Sequence, residues 1–178
     1  MVPTSRPSGH EYLEPDEWQS MNALLLLNRR VLAELDRDLR EAHGVGVTDF
    51  DVLITLYNAP ERRLRMSSLA EHVLLSPAGV THLVTRLERD GLVRREVDPS
   101  DRRKWYTVLT SQGNEVLKDA RRTHNATLRR GLLRVTTPTD RRTLQRLWTR
   151  LSKTSPRQKS TRGTDLASER QPPKSSLG

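Results

Sequence analysis

Residues 76 to 109 constrain the fold more than any other stretch of the chain. They open on Ser76-Pro77, a side-chain oxygen at an N-cap followed by proline at N1, where a missing N–H costs nothing. Val80, Leu83, Val84 and Leu87 then recur at i, i+3, i+4 and i+7, the spacing of one buried helical stripe. Gly91 follows, in the place where a helix most readily ends in the left-handed region. From Leu92 to Leu109 the pattern changes to two β-rich runs split by Asp98-Pro-Ser-Asp101, a turn sequence. A helix with one face committed to a core is thus followed directly by a hairpin whose tip carries Arg102, Arg103 and Lys104.

The flanking sequence reads as helix. Glu14-Pro15 starts a first helix with Asp16 and Glu17 in its first turn, where the dipole favours anions. Leu24, Leu27, Val31, Leu35 and Leu39 continue one stripe to about His43, before Gly44 and Gly46. Such a helix is about 29 residues and roughly 43 Å long, which implies an element shared with a second subunit. Thr48 to Asp51 resembles a capping box opening a second helix, with Phe50, Leu53, Ile54 and Tyr57 apolar. Leu64-Arg-Met66 suits a short strand, and Ser68 to Glu71 suits another capping box opening a short third helix. Beyond the hairpin, Thr110 caps a fifth helix reaching about Arg134. Thr137 to Asp140 caps a sixth, striped by Leu144, Leu147, Trp148 and Leu151. Residues 1–13 are expected to be a disordered lead and 153–178 a disordered basic tail.

The outward face of helix 76–90 carries Ser76, Pro77, Ala78, Thr81, His82, Thr85 and Arg86, with no carboxylate before Glu88. Small residues at its start suit a major groove, hydroxyls suit phosphate or a base edge, and Arg suits guanine. The helix by itself fits an ordinary surface helix equally well. Helix, turn, helix and basic hairpin in that order favour a winged helix-turn-helix, mainly α with a small β component, with long terminal helices for dimerisation. Charge points the same way. The formal net charge is +9. The first 18 residues carry three more acids than bases and the last 26 carry four more bases than acids, so the body keeps +8. A basic body favours a polyanionic partner. Asp101 amid the tip cations suits a partner that orients Arg103, and cations on a hairpin tip suit the minor groove.

In Met66-Ser-Ser-Leu-Ala70, Ser76-Pro-Ala-Gly-Val-Thr81, Val84 to Val93, Asp98-Pro-Ser-Asp-Arg-Arg103 and Leu109-Thr-Ser-Gln-Gly113, the chain resembles the multiple-antibiotic-resistance regulator (MarR) family of bacterial transcription factors. The resemblance spans about residues 14–152. It implies a homodimer whose helices at 14–46 and 110–152 intertwine, with one winged unit at 47–109 in each subunit. It also implies a sequence-specific regulator of double-stranded DNA, expected to be a repressor relieved by a small aromatic or lipophilic effector. By the family pattern Arg103 enters the minor groove and Asp101 positions it. Ser67 and Ser68, at the start of helix 3, join the expected DNA contacts, as do Arg102 and Lys104. Leu74 departs from the pattern, standing where relatives often have glycine. If that position needs φ > 0, leucine costs about 1 kcal/mol or more.

Other readings are weaker. Trp18 suits an effector pocket or, more simply, a dimer core, and Trp148 suits a core. Trp105 and Tyr106 suit stacking on nucleic acid or packing of one ring inward. The five histidines show no metal-ligand spacing, so neither a metal site nor a cofactor is expected. With no nucleophile motif, P-loop or dinucleotide fingerprint, no catalytic residue is expected either. Cysteine is absent, which excludes disulfides and thiolate metal sites. The polar start at Met1 to Glu14 and the short apolar run Met21 to Leu27 lead to a cytoplasmic expectation with no membrane partner. The rival classes are a winged-helix protein-interaction module and an architectural DNA binder without sequence preference.

Overall fold

The computed structural model describes residues 12–98 and 101–154. Helix α1 runs Pro15–His43. The Glu14 N–H donates to the Glu17 carboxylate at 2.9 Å, and Gly44 ends the helix at φ 70° with its N–H on the Arg40 carbonyl. Only its second half enters the core, through Leu35 and Leu39. Helix α2 (Val47–Asn58) lies next, with Phe50, Val52, Leu53 and Leu56 buried. It starts before the expected Thr48–Asp51 box. Asp49, not Asp51, reaches back to the Gly46 N–H at 2.8 Å, and Asp36 of α1 takes the Val47 N–H at 2.9 Å. Tertiary contact with α1 therefore sets this helix start.

A 3₁₀ turn at Pro60–Arg62 leads into strand β1 (Arg63–Arg65), one residue earlier than expected. Helix α3 (Met66–His72) follows without a break, so Ser68 lies inside its first turn and caps nothing. The anchoring contact is the Thr107 hydroxyl on the Met66 sulfur at 3.0 Å, which fixes the junction from the neighbouring strand. After α3 the chain reverses through Leu74, at φ 54°. Leu75 N–H bonds the Ala70 carbonyl at 3.1 Å, the long bond of a Schellman motif, with leucine in the usual glycine position. Helix α4 (Pro77–Arg89) is capped by the Ser76 hydroxyl and ends before Gly91 at φ 75°.

Strands β2 (Val93–Asp98) and β3 (Asp101–Leu109) form the hairpin, and the sheet order is β1-β3-β2, all antiparallel. Val93 pairs with Leu109 and Val97 with Trp105, and the register shifts before Asp98. Helix α5 (Ser111–Leu128) is capped by the Thr110 hydroxyl. Its Gly113 is sterically required, because a Cβ there would lie 2.0 Å from the Leu92 carbonyl oxygen. At Arg129–Leu133 the helix widens into a π turn, a change of pitch that the sequence pattern did not announce. Ties across to α1 lead up to it and into it: His43 to Thr123 at 2.8 Å, and Asp38 to both Thr127 and Arg130. The Thr127 hydroxyl, then Arg37 and Arg130, hold the Asp38 carboxyl below its ordinary range. Helix α6 (Pro138–Thr154) opens on a reciprocal Thr137–Asp140 box and runs two residues past the expected start of the tail. The rest of the expected tail, and residues 1–11 of the expected lead, lie outside the described residues.

The core joins α2, α3, α4, α5 and the base of the hairpin around Leu53, Leu56, Leu69, Val84, Leu87, Leu109 and Leu117. The apolar stripes of α6 and of the first half of α1 take no part in it. Trp18, Leu24 to Leu27, Leu147, Trp148 and Leu151 are all exposed on the single chain, so Trp148 is not a core residue of one subunit. No helix among the described residues is long and apolar enough to cross a membrane.

Candidate nucleic-acid interface

Helix α4 is held by its buried stripe of Val80, Leu83, Val84 and Leu87, so its opposite face is fixed outward. Ser76, Pro77, Ala78, Thr81, His82 and Thr85 are exposed there. The Thr81 and Thr85 hydroxyls donate back to the carbonyls of Pro77 and Thr81, each at 2.8 Å. Their oxygens remain acceptors. Ser67 is exposed and Ser68 half-buried at the start of α3.

Arg86 departs from the sequence expectation. Its guanidinium turns from the outward face to the Asp49 carboxylate of α2, which is only 3% exposed. A buried carboxylate without a counter-ion is costly, and α4 supplies the nearest cation. Arg95 of β2, which no local pattern singles out, takes the vacated surface. Its Nη2 donates to the Thr85 hydroxyl and, at 3.4 Å, to the Thr81 carbonyl, while its backbone N–H bonds Glu88 at 2.9 Å. The hairpin therefore adds a cation to the polar face of α4. The spacing of 7 to 14 residues between these partners follows no helical or strand period, so no local pattern marks them.

The wing is braced from its far side. Arg65 of β1 donates to the buried Asp98 carboxylate at 2.9 Å and to the Tyr106 hydroxyl at 3.3 Å. The Arg63 and Arg65 guanidiniums lie 4.9 and 5.6 Å from the Tyr106 ring centroid. Of the two aromatic neighbours, Tyr106 is the packed one, and Trp105 is exposed. Arg102, Arg103 and Lys104 are exposed beyond this brace, and Pro99 and Ser100 of the turn lie outside the described residues. Asp101 accepts from the Arg103 backbone N–H at 3.1 Å and pairs with the Lys104 ammonium at 3.0 Å. It thus fixes the backbone from which Arg103 projects, not the guanidinium itself. The Arg103 amide, then Lys104, hold the Asp101 carboxyl below its ordinary range.

Behind α4, a crevice of about 430 Å³ opens between the end of α1, the start of α2 and α4 itself. Arg40, Thr48, Asp49, Leu75, His82 and Arg86 are among its lining residues. Trp18, far up α1, does not line it. No group of three or more His, Cys, Asp or Glu among the described residues is placed to hold a metal ion.

Residues 47–105 match the model of the MarR family. The chain is 33% identical over 106 residues to the HTH-type transcriptional regulator YkoM of Bacillus subtilis (strain 168), covering 58% of this chain and 68% of that one. It is 32% identical over 77 residues to the HTH-type transcriptional regulator MhqR of the same organism, covering 43% of this chain and about half, 52%, of MhqR. Among solved structures it resembles Sco3205, a MarR family transcriptional regulator from Streptomyces coelicolor in complex with DNA. The TM-score is 0.76 at 29% identity, over 80% of this chain and 89% of that one. AbsC, a MarR family transcriptional regulator from the same organism, gives a TM-score of 0.75 at 30% identity, over 80% and 96%.

Proposed function

The chain belongs to the MarR family of transcriptional regulators, and from that premise we propose that it is a homodimeric cytoplasmic repressor. Two copies bind one pseudo-palindromic operator in double-stranded DNA and release it when a small aromatic or lipophilic effector binds. One contrast carries the reading. The outward side of α4 and the wing is polar to cationic, whereas α1 and α6 each leave an apolar stripe exposed, Leu24 to Leu27 on one and Leu147, Trp148 and Leu151 on the other. The first surface suits a polyanion and the second suits another copy of the chain.

In this reading Thr81, Thr85, His82 and Arg95 face base edges or phosphates, with Ser76 and the first amides of α4 on phosphate. Ser67 and Ser68 add contacts from α3, and Arg103 reaches the minor groove with Arg102 and Lys104 beside it. Two such heads related by a two-fold axis require half-sites about one helical turn, ~34–36 Å, apart. An effector in the crevice behind α4 acts by favouring a spacing that does not fit.

Selecting bound sites from random duplexes tests the proposal. A pseudo-palindrome with this half-site spacing is the expected result. Uniform protection of unrelated duplexes would leave an architectural binder, and failure to hold any duplex would leave a protein-docking module. Arg103→Ala should then weaken operator binding by about 1–3 kcal/mol while the dimer stays intact. Unchanged affinity would remove the wing from the mechanism.

A further inference from the structure

On another side of the winged unit, one face of α5 and Tyr57 of α2 line a second, half-open cavity of about 270 Å³. Tyr57 of α2 lines it, with Asn114, Lys118, Arg121, Arg122 and Asn125 of α5. Leu117 is its apolar floor. The side chains from α5 recur at the spacing of one helical face.

Three observations set this surface apart from a solvated cationic stripe. It is concave. Two guanidiniums share the Tyr57 ring, Arg62 at 5.1 Å and Arg121 at 5.6 Å from its centroid. The turn that presents Arg62 places two consecutive non-glycine residues, Glu61 and Arg62, in the left-handed region at φ 52° and 54°. Such conformations persist only where the surroundings impose them, and they gather at ligand sites. Carboxylates of α5 itself pair with its cations. Glu115 meets Lys118 at 3.6 Å and Asp119 meets Arg122 at 3.1 Å, both as exposed pairs that an incoming anion displaces at little cost.

We propose that this cavity binds a small polyanion, a molecule bearing a phosphate group or at least two carboxylates. Lys118, Arg121 and Arg122 are its counter-ions. The Asn114 and Asn125 amides and the Tyr57 hydroxyl supply neutral donors that fix its orientation. The volume is just under the ~300 Å³ lower end of common small-molecule pockets, which sets an upper limit on ligand size. Because α5 also carries the ties to α1, an anion bridging it to α2 stiffens the joint between the winged unit and the long helices. The site goes beyond the repressor reading and stands whether or not that reading holds.

The test is an amide NMR titration of the full chain with pyrophosphate and, separately, citrate, against sodium chloride at matched ionic strength. Saturable shifts centred on Asn114, Lys118, Arg121 and Asn125 are expected with at least one of the two, and which one binds tells phosphate from polycarboxylate. Lys118→Ala with Arg121→Ala should weaken that binding about tenfold or more. Arg122→Gln in a folded chain provides the same comparison where the double variant does not fold. Shifts centred instead on Thr81, Thr85 and Arg103, equal shifts with chloride, or equal affinity in the folded variants would overturn the site.

Discussion

At the scale of single residues, Leu74 and Arg86 show how a local choice is set by its neighbours. Leu74 is 79% exposed, so its side chain gains little from burial, yet its backbone sits at φ 54°. A left-handed L-residue costs about 1–2 kcal/mol, partly offset because glycine loses more freedom on folding. Leu74→Gly should therefore stabilise the fold by about 0.5–1 kcal/mol, read as a higher urea midpoint at unchanged slope. A lower midpoint would mean that Leu74 makes a contact in the assembled protein that one chain does not reveal. Arg86 looked like a reader of guanine because it stands on the polar side of α4. The buried Asp49 carboxylate claims it instead. With the Arg86 side chain 39% exposed, Arg86→Ala should cost about 1–2 kcal/mol of stability, a value reduced for solvent screening. Operator affinity measured below the melting transition should change little. Lost affinity at unchanged stability would return Arg86 to the reading surface.

At the scale of elements, the hairpin was legible and its brace was not. Alternation and the Asp-Pro-Ser-Asp turn mark β2 and β3 directly, because strand period and turn chemistry are local. The contacts that aim the wing cross from Arg65 to Asp98 and Tyr106, over 33 and 41 residues of chain. No window of sequence contains both ends. Arg65→Ala should leave the helices folded and loosen the hairpin, because the buried Asp98 carboxylate loses a donor. Amide exchange in β2 and β3 should then quicken relative to α2 and α5. Exchange that is unaltered in the strands would show that β-pairing alone holds the wing. Helix starts follow the same division. Ser76, Thr110 and Thr137 cap where the sequence places them, whereas α2 and α3 begin early because Asp36 and Thr107 hold their first turns.

At the scale of the whole molecule, the apolar surface of α1 and α6 needs a partner. Leu24, Leu25, Leu26 and Leu27 stand at successive 100° steps, so this one turn of α1 is apolar all round. A helix that is apolar all round belongs in an interior. In one chain each of these leucines is at least 39% exposed, and Trp148 and Leu151 of α6 are 59% and 65% exposed. Deleting the chain from Thr137 onward should abolish the proposed dimer, giving a monomer or an aggregate in sedimentation. A monodisperse dimer without α6 would place the interface elsewhere.

Local sequence sets the elements and their order. Helical stripes, caps, the hairpin turn and the basic body are written in neighbouring residues, and the family motifs lie within that same local text. The tertiary structure alone decided which cations are committed and to what. Arg86 goes to Asp49, Arg65 to Asp98, and Arg95 to the face of α4. It also decided that Leu74 takes the left-handed turn and that α5 widens where α1 ties to it. The physical reason is range. Period and capping act within a few residues. The partner of a buried charge is set by whichever opposite charge the folded chain brings within a few ångströms, however far away it lies in sequence.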